Sequence, residues 1–294
     1  MELSKRLQAV ADLVTEGASV ADIGTDHGYI PIYLVEKHIA KKVIALDINR
    51  GPLERARMHI VGHGLKGKIE TRLSDGLEKV EPGEVDTMIA AGMGGGLVIK
   101  ILMEGREVVQ TLDTMILQPQ SEIERVRRFL QKQHLKIIEE DMVEEDGKFY
   151  PMMKVQYQGE KAQKASEELK LSDLYGGLLL QNRHPVLKTF LEKEKLIYTG
   201  IKENLAKQPA SEKIRTRLAE VEDILHYSFI NNLPLFQKHP HHLFFQSGIF
   251  LIPDRQIHPR FLIDNTAVMA EGFKSTPAVV AAHAALTDTA EWHI

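Results

Sequence analysis

Between residues 19 and 158, short apolar runs alternate with segments whose apolar positions recur at helical spacing. The pattern predicts strands at 19–24, 42–48, 68–74, 85–91, 114–119, 135–143 and 149–158. Helices are predicted between them at about 29–38, 51–63, 95–109 and 121–133, after an opening amphipathic helix in "MELSKRLQAVADLV". Such alternation favours a parallel sheet with helices on both faces. The last two strands are separated only by "EEDGK". That is too short for a helical crossover, so they should form an antiparallel hairpin.

Residues 171–228 read as helical. In "HPVLKTFLEKEKLIYTGIKENLAK", Pro185 suits a first helical turn, and Leu187, Phe190, Leu191, Ile197, Ile201 and Leu205 follow at roughly helical spacing. After "QPAS", Ile214, Leu218, Val221 and Leu225 are spaced four, three and four apart, an a/d stripe. Two helices joined this way predict an antiparallel hairpin or coiled coil. Near Phe229 the composition changes. The last 66 residues hold seven of the ten Phe, the single Trp and five of the twelve Pro, but only four Lys or Arg. The expected organisation is therefore an α/β domain over 1–160, a helical domain over 161–228 and an atypical extension over 229–294.

The chain has 294 residues, 43% hydrophobic and 27% charged, as in globular domains. No apolar run reaches the length of a membrane span, and the N-terminal stretch lacks a signal-peptide pattern. There is no cysteine, which excludes disulfides, thiolate metal sites and cysteine nucleophiles and suits a cytoplasmic location. The formal net charge of −4 means that any binding of nucleic acid must rest on local charge.

Four stretches carry candidate chemistry. In "VADIGTDHGYIP" (20–31) a strand ends at Gly24 and a helix begins near Tyr29. Ligands of open α/β sheets bind beyond such strand ends. The dinucleotide fingerprint would place a second glycine at position 26, where this chain has Asp26. A carboxylate repels a pyrophosphate but attracts the ammonium and sulfonium of S-adenosylmethionine. The simpler alternative is a turn with a helix-capping Asp. Asp47 closes "VIALDIN", 23 residues after Gly24, close to the spacing of a carboxylate that binds ribose hydroxyls. Asp75-Gly76 follows the third strand, where an adenine edge or an ordinary turn fits equally. Finally, "IAAGMGGG" (89–96) is a glycine run after an apolar strand. It is not a P-loop, because Lys100 is not followed by Ser or Thr. A tight strand-to-helix turn is the plain alternative. His27 is a candidate for a proton role, with surface packing as the alternative and no metal-ligand spacing nearby.

A doubly wound sheet ending in an antiparallel hairpin is the outline of a class I methyltransferase. In order along the chain, "LSKRL", "ADIGTDHGYIP", "ALDINRGPLERA", "AGMGGGLVIKIL", "ILQPQ", "EEDGKFY" and "YGGLLLQNRHPVLKTFLEKE" occur. The set resembles the bacterial TrmK family, tRNA (adenine-22-N1)-methyltransferases, over about residues 1–228. The resemblance implies S-adenosylmethionine as methyl donor and N1 of an adenine in tRNA as acceptor. It implies cofactor contacts at Asp22, Gly24, Asp26, His27, Asp47, Ile48, Asp75, Gly76 and Gly92. It also implies an acceptor side at Gly92, Met93, Gly94 and Gly95, with Asp26, Met93 and Gly94 as catalytic candidates and no metal. Gln120, where Asn is commoner, and Pro151 after Tyr150 depart from the pattern.

The chemistry is consistent with that resemblance. The N1 lone pair of adenine lies in the ring plane, free to attack, so an acceptor loop without polar side chains suffices if it orients the base. Because N1 sits on the Watson–Crick edge, the target base must be unpaired or drawn from its stack. RNA grip is then needed elsewhere. Residues 183–217 hold nine Lys or Arg against four Asp or Glu, a local excess of +5. The helical hairpin is thus expected to track tRNA phosphates, with Arg125, Arg127 and Arg128 as a second contact. Two other classes are open to the same sequence: a small-molecule methyltransferase, and a tRNA-binding protein without catalysis. His239, His241 and His242 in the extension are a remote metal candidate.

Overall fold

The structure is a computed structural model that describes residues 1–159 and 171–232. Most of the expected extension, with His239, His241 and His242, lies outside the described residues.

Seven strands form one sheet: β1 (Ala18–Ile23), β2 (Ala40–Asp47), β3 (Ile69–Leu73), β4 (Thr87–Met93), β5 (Thr114–Pro119), β6 (Leu135–Glu145) and β7 (Lys148–Tyr157). Their spatial order is β3-β2-β1-β4-β5-β7-β6. The first five are parallel, and β7 enters antiparallel between β5 and β6. The hairpin turns on Asp146-Gly147, both at positive φ (50° and 75°). A two-residue turn with this handedness matches strand twist, which is why Asp-Gly sits there.

Side chains of the central strands alternate between two cores. On β5, Met115 and Leu117 join Val98, Leu102, Val126 and Leu130, while Ile116 faces Val10, Ile32 and Ala56. Helices α1 (Lys5–Asp12), α2 (Tyr29–Glu36) and α3 (Arg50–Gly62) therefore cover one face. Helices α4 (Gly95–Glu104), α5 (Arg106–Val109) and α6 (Ile123–Lys132) cover the other. Burial on both faces explains why these strands read as continuous apolar runs. The single helix expected over 95–109 is two helices. At Gly105, which separates them, a Cβ would lie 2.5 Å from Leu77 Cδ1 and 3.0 Å from the Ile101 carbonyl oxygen, so only glycine fits.

The helical region comprises α7 (Leu171–Tyr175), α8 (Gly177–Gln181), α9 (Pro185–Ala206) and α10 (Glu212–Asn232). Tyr175, Leu179, Leu187 and Leu191 pack with Met142 of β6, and Phe149 and Phe190 meet edge to face at 5.2 Å. Helices α9 and α10 form the expected hairpin, with Val221 buried and Lys202 bonded to Glu222. The buried position in the middle of α9 is Tyr198, whereas Ile197, read as part of the stripe, is exposed.

Arg127 does not offer itself to RNA. Its side chain is buried, its Nε donates to Glu140 Oε1 at 3.0 Å, and its Nη1 donates to the carbonyls of Asp173 and Leu174. Glu140 Oε2 in turn accepts the Leu178 N–H. This buried pair ties α6 and β6 to the helical region. Arg125, in contrast, is exposed and paired with Glu122.

Candidate active site

The carboxyl ends of β1 to β5 bring the candidate residues together. Asp22 is buried beneath the first loop. Burial pushes its carboxyl up to about 6; the Thr25 side chain pulls it part of the way back, and the charge of Asp47 adds to the rise. Among the described residues, the buried His27 Nδ1 has no hydrogen-bond partner. An unpartnered buried polar atom in this short loop is what a loop built to grip a polar ligand shows. Gly24 has φ +73°, and a Cβ there would lie 3.2 Å from Met93 Cε. The end of the first strand thus lies beside Met93 of the glycine run, with no room for a side chain between them.

The raised pKa carries a stability consequence. Folded Asp22 holds its proton to about 6, while the unfolded value is 3.8. The folded state binds more protons in that window, so stability falls as pH rises through it. Asp22→Asn removes this loss. Relative to wild type, the ligand-free variant should gain about 2–3 kcal/mol between pH 4 and pH 7.5. Urea unfolding across that range checks it, and a stability difference that does not change with pH contradicts it.

Asp47 is also nearly buried, and one carboxylate oxygen accepts the Asn49 N–H at 2.8 Å. Ile48 beside it is 58% exposed, an apolar side chain open to a planar ring. Asp75 is held by Lys100 of α4 at 2.8 Å. The turn at Asp75-Gly76 is set by Ser74, whose hydroxyl donates to the Gly76 carbonyl and accepts the Lys79 N–H. Asp26, at φ 47°, is exposed and paired with Arg55 of α3 at 2.9 Å. His27 packs its ring beside Tyr29 and His59 at 5.3 and 5.5 Å, and His59 Nδ1 donates to the His27 carbonyl. Among the described residues no cluster suited to a metal ion occurs.

The glycine run is not a loop. Strand β4 continues through Met93, which pairs with Pro119, and Gly94 is already the N-cap of α4. The first amides of α4 are taken by protein: Gly95 N–H donates to the Ser121 carbonyl and Gly96 N–H to Glu122 Oε2. A phosphate therefore finds a carboxylate at this helix end and no free cradle. Gly95 is glycine because a Cβ would sit 2.5 Å from the Ser121 carbonyl oxygen. Gly92 and Gly94 are exposed, forming an open floor.

The surroundings of that floor are more polar than the sequence implied. Gly92 N–H donates to Oε1 of the buried Gln118, and Arg6 Nη1 of α1 donates to the same oxygen. A Cβ on Gly92 would lie 3.3 Å from Arg6 Nη1 and 3.8 Å from Gln120 Nε2. Arg6 and Gln118 carry no role in the sequence reading. Their only signals are the motifs "LSKRL" and "ILQPQ".

The sheet order, with its antiparallel last hairpin and its polar groups at the ends of β1, β2 and β4, defines a class I methyltransferase fold. Residues 3–153 match the family model described as "Methyltransferase domain". The chain is 35% identical to the tRNA (adenine(22)-N(1))-methyltransferase of Bacillus subtilis, over 76% of this chain and 94% of that one. It superposes on the crystal structure of the B. subtilis M1A22 tRNA methyltransferase TrmK with a TM-score of 0.66 at 32% identity, covering 79% of this chain and 99% of that one. A Streptococcus pneumoniae putative tRNA (m1A22) methyltransferase, solved in complex with S-adenosyl-L-methionine, aligns with a TM-score of 0.64 at 32% identity, covering 76% and 100%. The chain belongs to the tRNA (adenine(22)-N(1))-methyltransferase family.

Proposed function

We propose that this protein transfers a methyl group from S-adenosylmethionine to N1 of adenine 22 in tRNA. The observation that carries the reading is the nearness of Met93 to Gly24, where even a Cβ would lie 3.2 Å from Met93 Cε, so that the first loop lies beside an open floor of glycines. S-adenosylmethionine, when bound, supplies an electrophilic methyl group. Asp47 would hold the ribose diol through its free carboxylate lone pairs, and Ile48 would cover one face of the adenine ring. Asp22, Thr25 and His27 would line the polar methionine end, with Asp75 and Gly76 at the base edge. Asp22 is the group whose charge a bound ammonium would stabilise. Gly92, Met93 and Gly94 would orient the target base, and the N1 lone pair needs no base to activate it. The N6 proton of the product would leave to water or to the exposed Asp26.

The helical hairpin is the proposed grip on tRNA, and its excess of positive charge supports that role. Lys188 pairs with Glu192 at 3.8 Å and Lys202 with Glu222 at 2.8 Å, both exposed. Such pairs contribute little and exchange readily for phosphate. Replacing Lys188, Lys195 and Lys202 with Glu should weaken tRNA binding about 10-fold at moderate salt and leave cofactor affinity unchanged. Filter binding and calorimetry check this, and undiminished tRNA affinity rejects the hairpin as the grip.

The substrate assignment is tested with two transcripts that differ only at position 22. Label should pass to the adenine form and not to the guanine form. Transfer that proceeds without RNA would favour a small-molecule methyltransferase instead.

A further inference from the structure

Among the described residues, Arg6 is a cation without a counter-ion. It sits half-buried at the acceptor end of the sheet. One of its five N–H donors goes to the neutral Gln118 Oε1 at 3.0 Å, and its guanidinium lies 5.7 Å from the Tyr150 ring centroid. Glu145 approaches only its backbone, accepting the Arg6 N–H at 3.3 Å. Among the described residues, no carboxylate comes within ion-pair distance of the guanidinium.

The position of this cation is fixed from several sides. Helix α1 is capped by Ser4 and bound to the β6–β7 hairpin through Lys5 Nζ, which donates to the Glu144 carbonyl. Gln118 is fully buried and is itself tied to the floor by the Gly92 N–H. The guanidinium thus hangs over Gly92, with the Gln120 amide beside it. Gln118 gives its Oε1 to Arg6 and to the Gly92 N–H and its Nε2 to the Pro119 carbonyl, so the side-chain nitrogens beside Gly92 are those of Arg6 and Gln120.

A fixed, unpaired, partly desolvated guanidinium calls for an anion. The adenine base is not that anion. Methylation leaves it positively charged, and a guanidinium bonded to N1 would block the lone pair that attacks. The proposed reaction brings two anions to the site, the methionine carboxylate of the donor and the phosphates of the nucleotide that delivers the base; Arg6 stands over Gly92, on the acceptor side. We propose that Arg6 binds a backbone phosphate flanking the target adenosine, while Gln118 and Tyr150 hold the guanidinium in place. Arg6 then sets where the extruded nucleotide is anchored, and the base lands on the Gly92–Gly94 floor. The proposal rests on the reading of the site as an RNA adenine methyltransferase.

Its test pairs the protein with a chemically altered substrate. A tRNA assembled with neutral methylphosphonate linkages on either side of A22 is compared with the unmodified RNA, using wild type, Arg6→Ala and Arg6→Lys. Arg6→Ala should lower kcat/KM for tRNA about 30-fold, the loss of a charge-assisted contact, and leave S-adenosylmethionine affinity within about 3-fold. Arg6→Lys should recover part of the loss, because a point charge replaces a fork. Neutralising the phosphate should slow the wild type by a similar factor and Arg6→Ala hardly further. If the two losses multiply in full, Arg6 does not meet that phosphate and the inference falls. A neutral linkage that does not slow the wild type overturns the inference by itself, whatever the stability of Arg6→Ala. A wild type that methylates no adenine in the unmodified tRNA overturns the functional reading first, and the inference with it.

Discussion

Gly94→Asp is expected to fold, bind S-adenosylmethionine and lose methyl transfer to tRNA by about 1000-fold or more, because orientation is most of what this site can supply. Gly94 is the N-cap of α4, with φ −65° and ψ 148°. That is extended backbone which any residue adopts, and Asp is among the preferred N-caps. A Cβ there meets only the Ser121 hydroxyl, at 3.3 Å, and a hydroxyl can rotate away. The melting temperature should hold or rise. The new carboxylate, however, projects from the floor proposed to receive the base. The neighbouring Gly95→Ala is the contrasting control. Its Cβ would strike the Ser121 carbonyl at 2.5 Å and Val126 at 2.9 Å, so backbone must move and α4 must shift against α6. That variant should lose stability along with activity. Thermal melts, calorimetry and labelled transfer separate the two; Gly94→Asp with wild-type transfer would place the acceptor elsewhere.

Asp47→Asn is expected to weaken S-adenosylmethionine binding at least about 100-fold while the fold persists. The substitution is isosteric, and Asn can still accept the Asn49 N–H through its oxygen. The second oxygen becomes an amide nitrogen, a donor facing the donors of a ribose diol. Two charge-assisted hydrogen bonds are lost at a nearly buried position. A second readout follows from Asp22, whose raised pKa owes part of its shift to the charge of Asp47. In Asp47→Asn the Asp22 carboxyl should titrate lower than about 6. Calorimetry measures the affinity and carboxyl-resolved NMR the titration. Unchanged affinity would remove Asp47 from the cofactor site.

Much of this was legible because the relevant patterns are local. The strand at Thr114–Pro119 was readable to the residue, since all six of its side chains are buried and turn residues bound it. The hairpin followed from a connection too short for anything else. The residues proposed to hold the cofactor stood out because they lie at or just beyond the carboxyl ends of β1 to β4. What escaped depends on partners distant in sequence. Strand β4 runs on to Met93 because Pro119 and Gln120 pair with it. Arg127 looks like a basic surface residue until Glu140 and the carbonyls of Asp173 and Leu174 surround it. Arg6 reads as one polar position on a short helix; its meaning comes from Gln118, 112 residues away. Gly105 breaks a helix because Leu77 packs against it, which no local period reveals.

The proposed presentation of N1 of adenine 22 to the methyl donor is checked by reverse transcription across unmodified tRNA after incubation with the protein and S-adenosylmethionine. A methyl group on N1 blocks Watson–Crick pairing, so a cofactor-dependent stop is expected one nucleotide before position 22. Methyl incorporation without a stop, or a stop at another adenine, would contradict it.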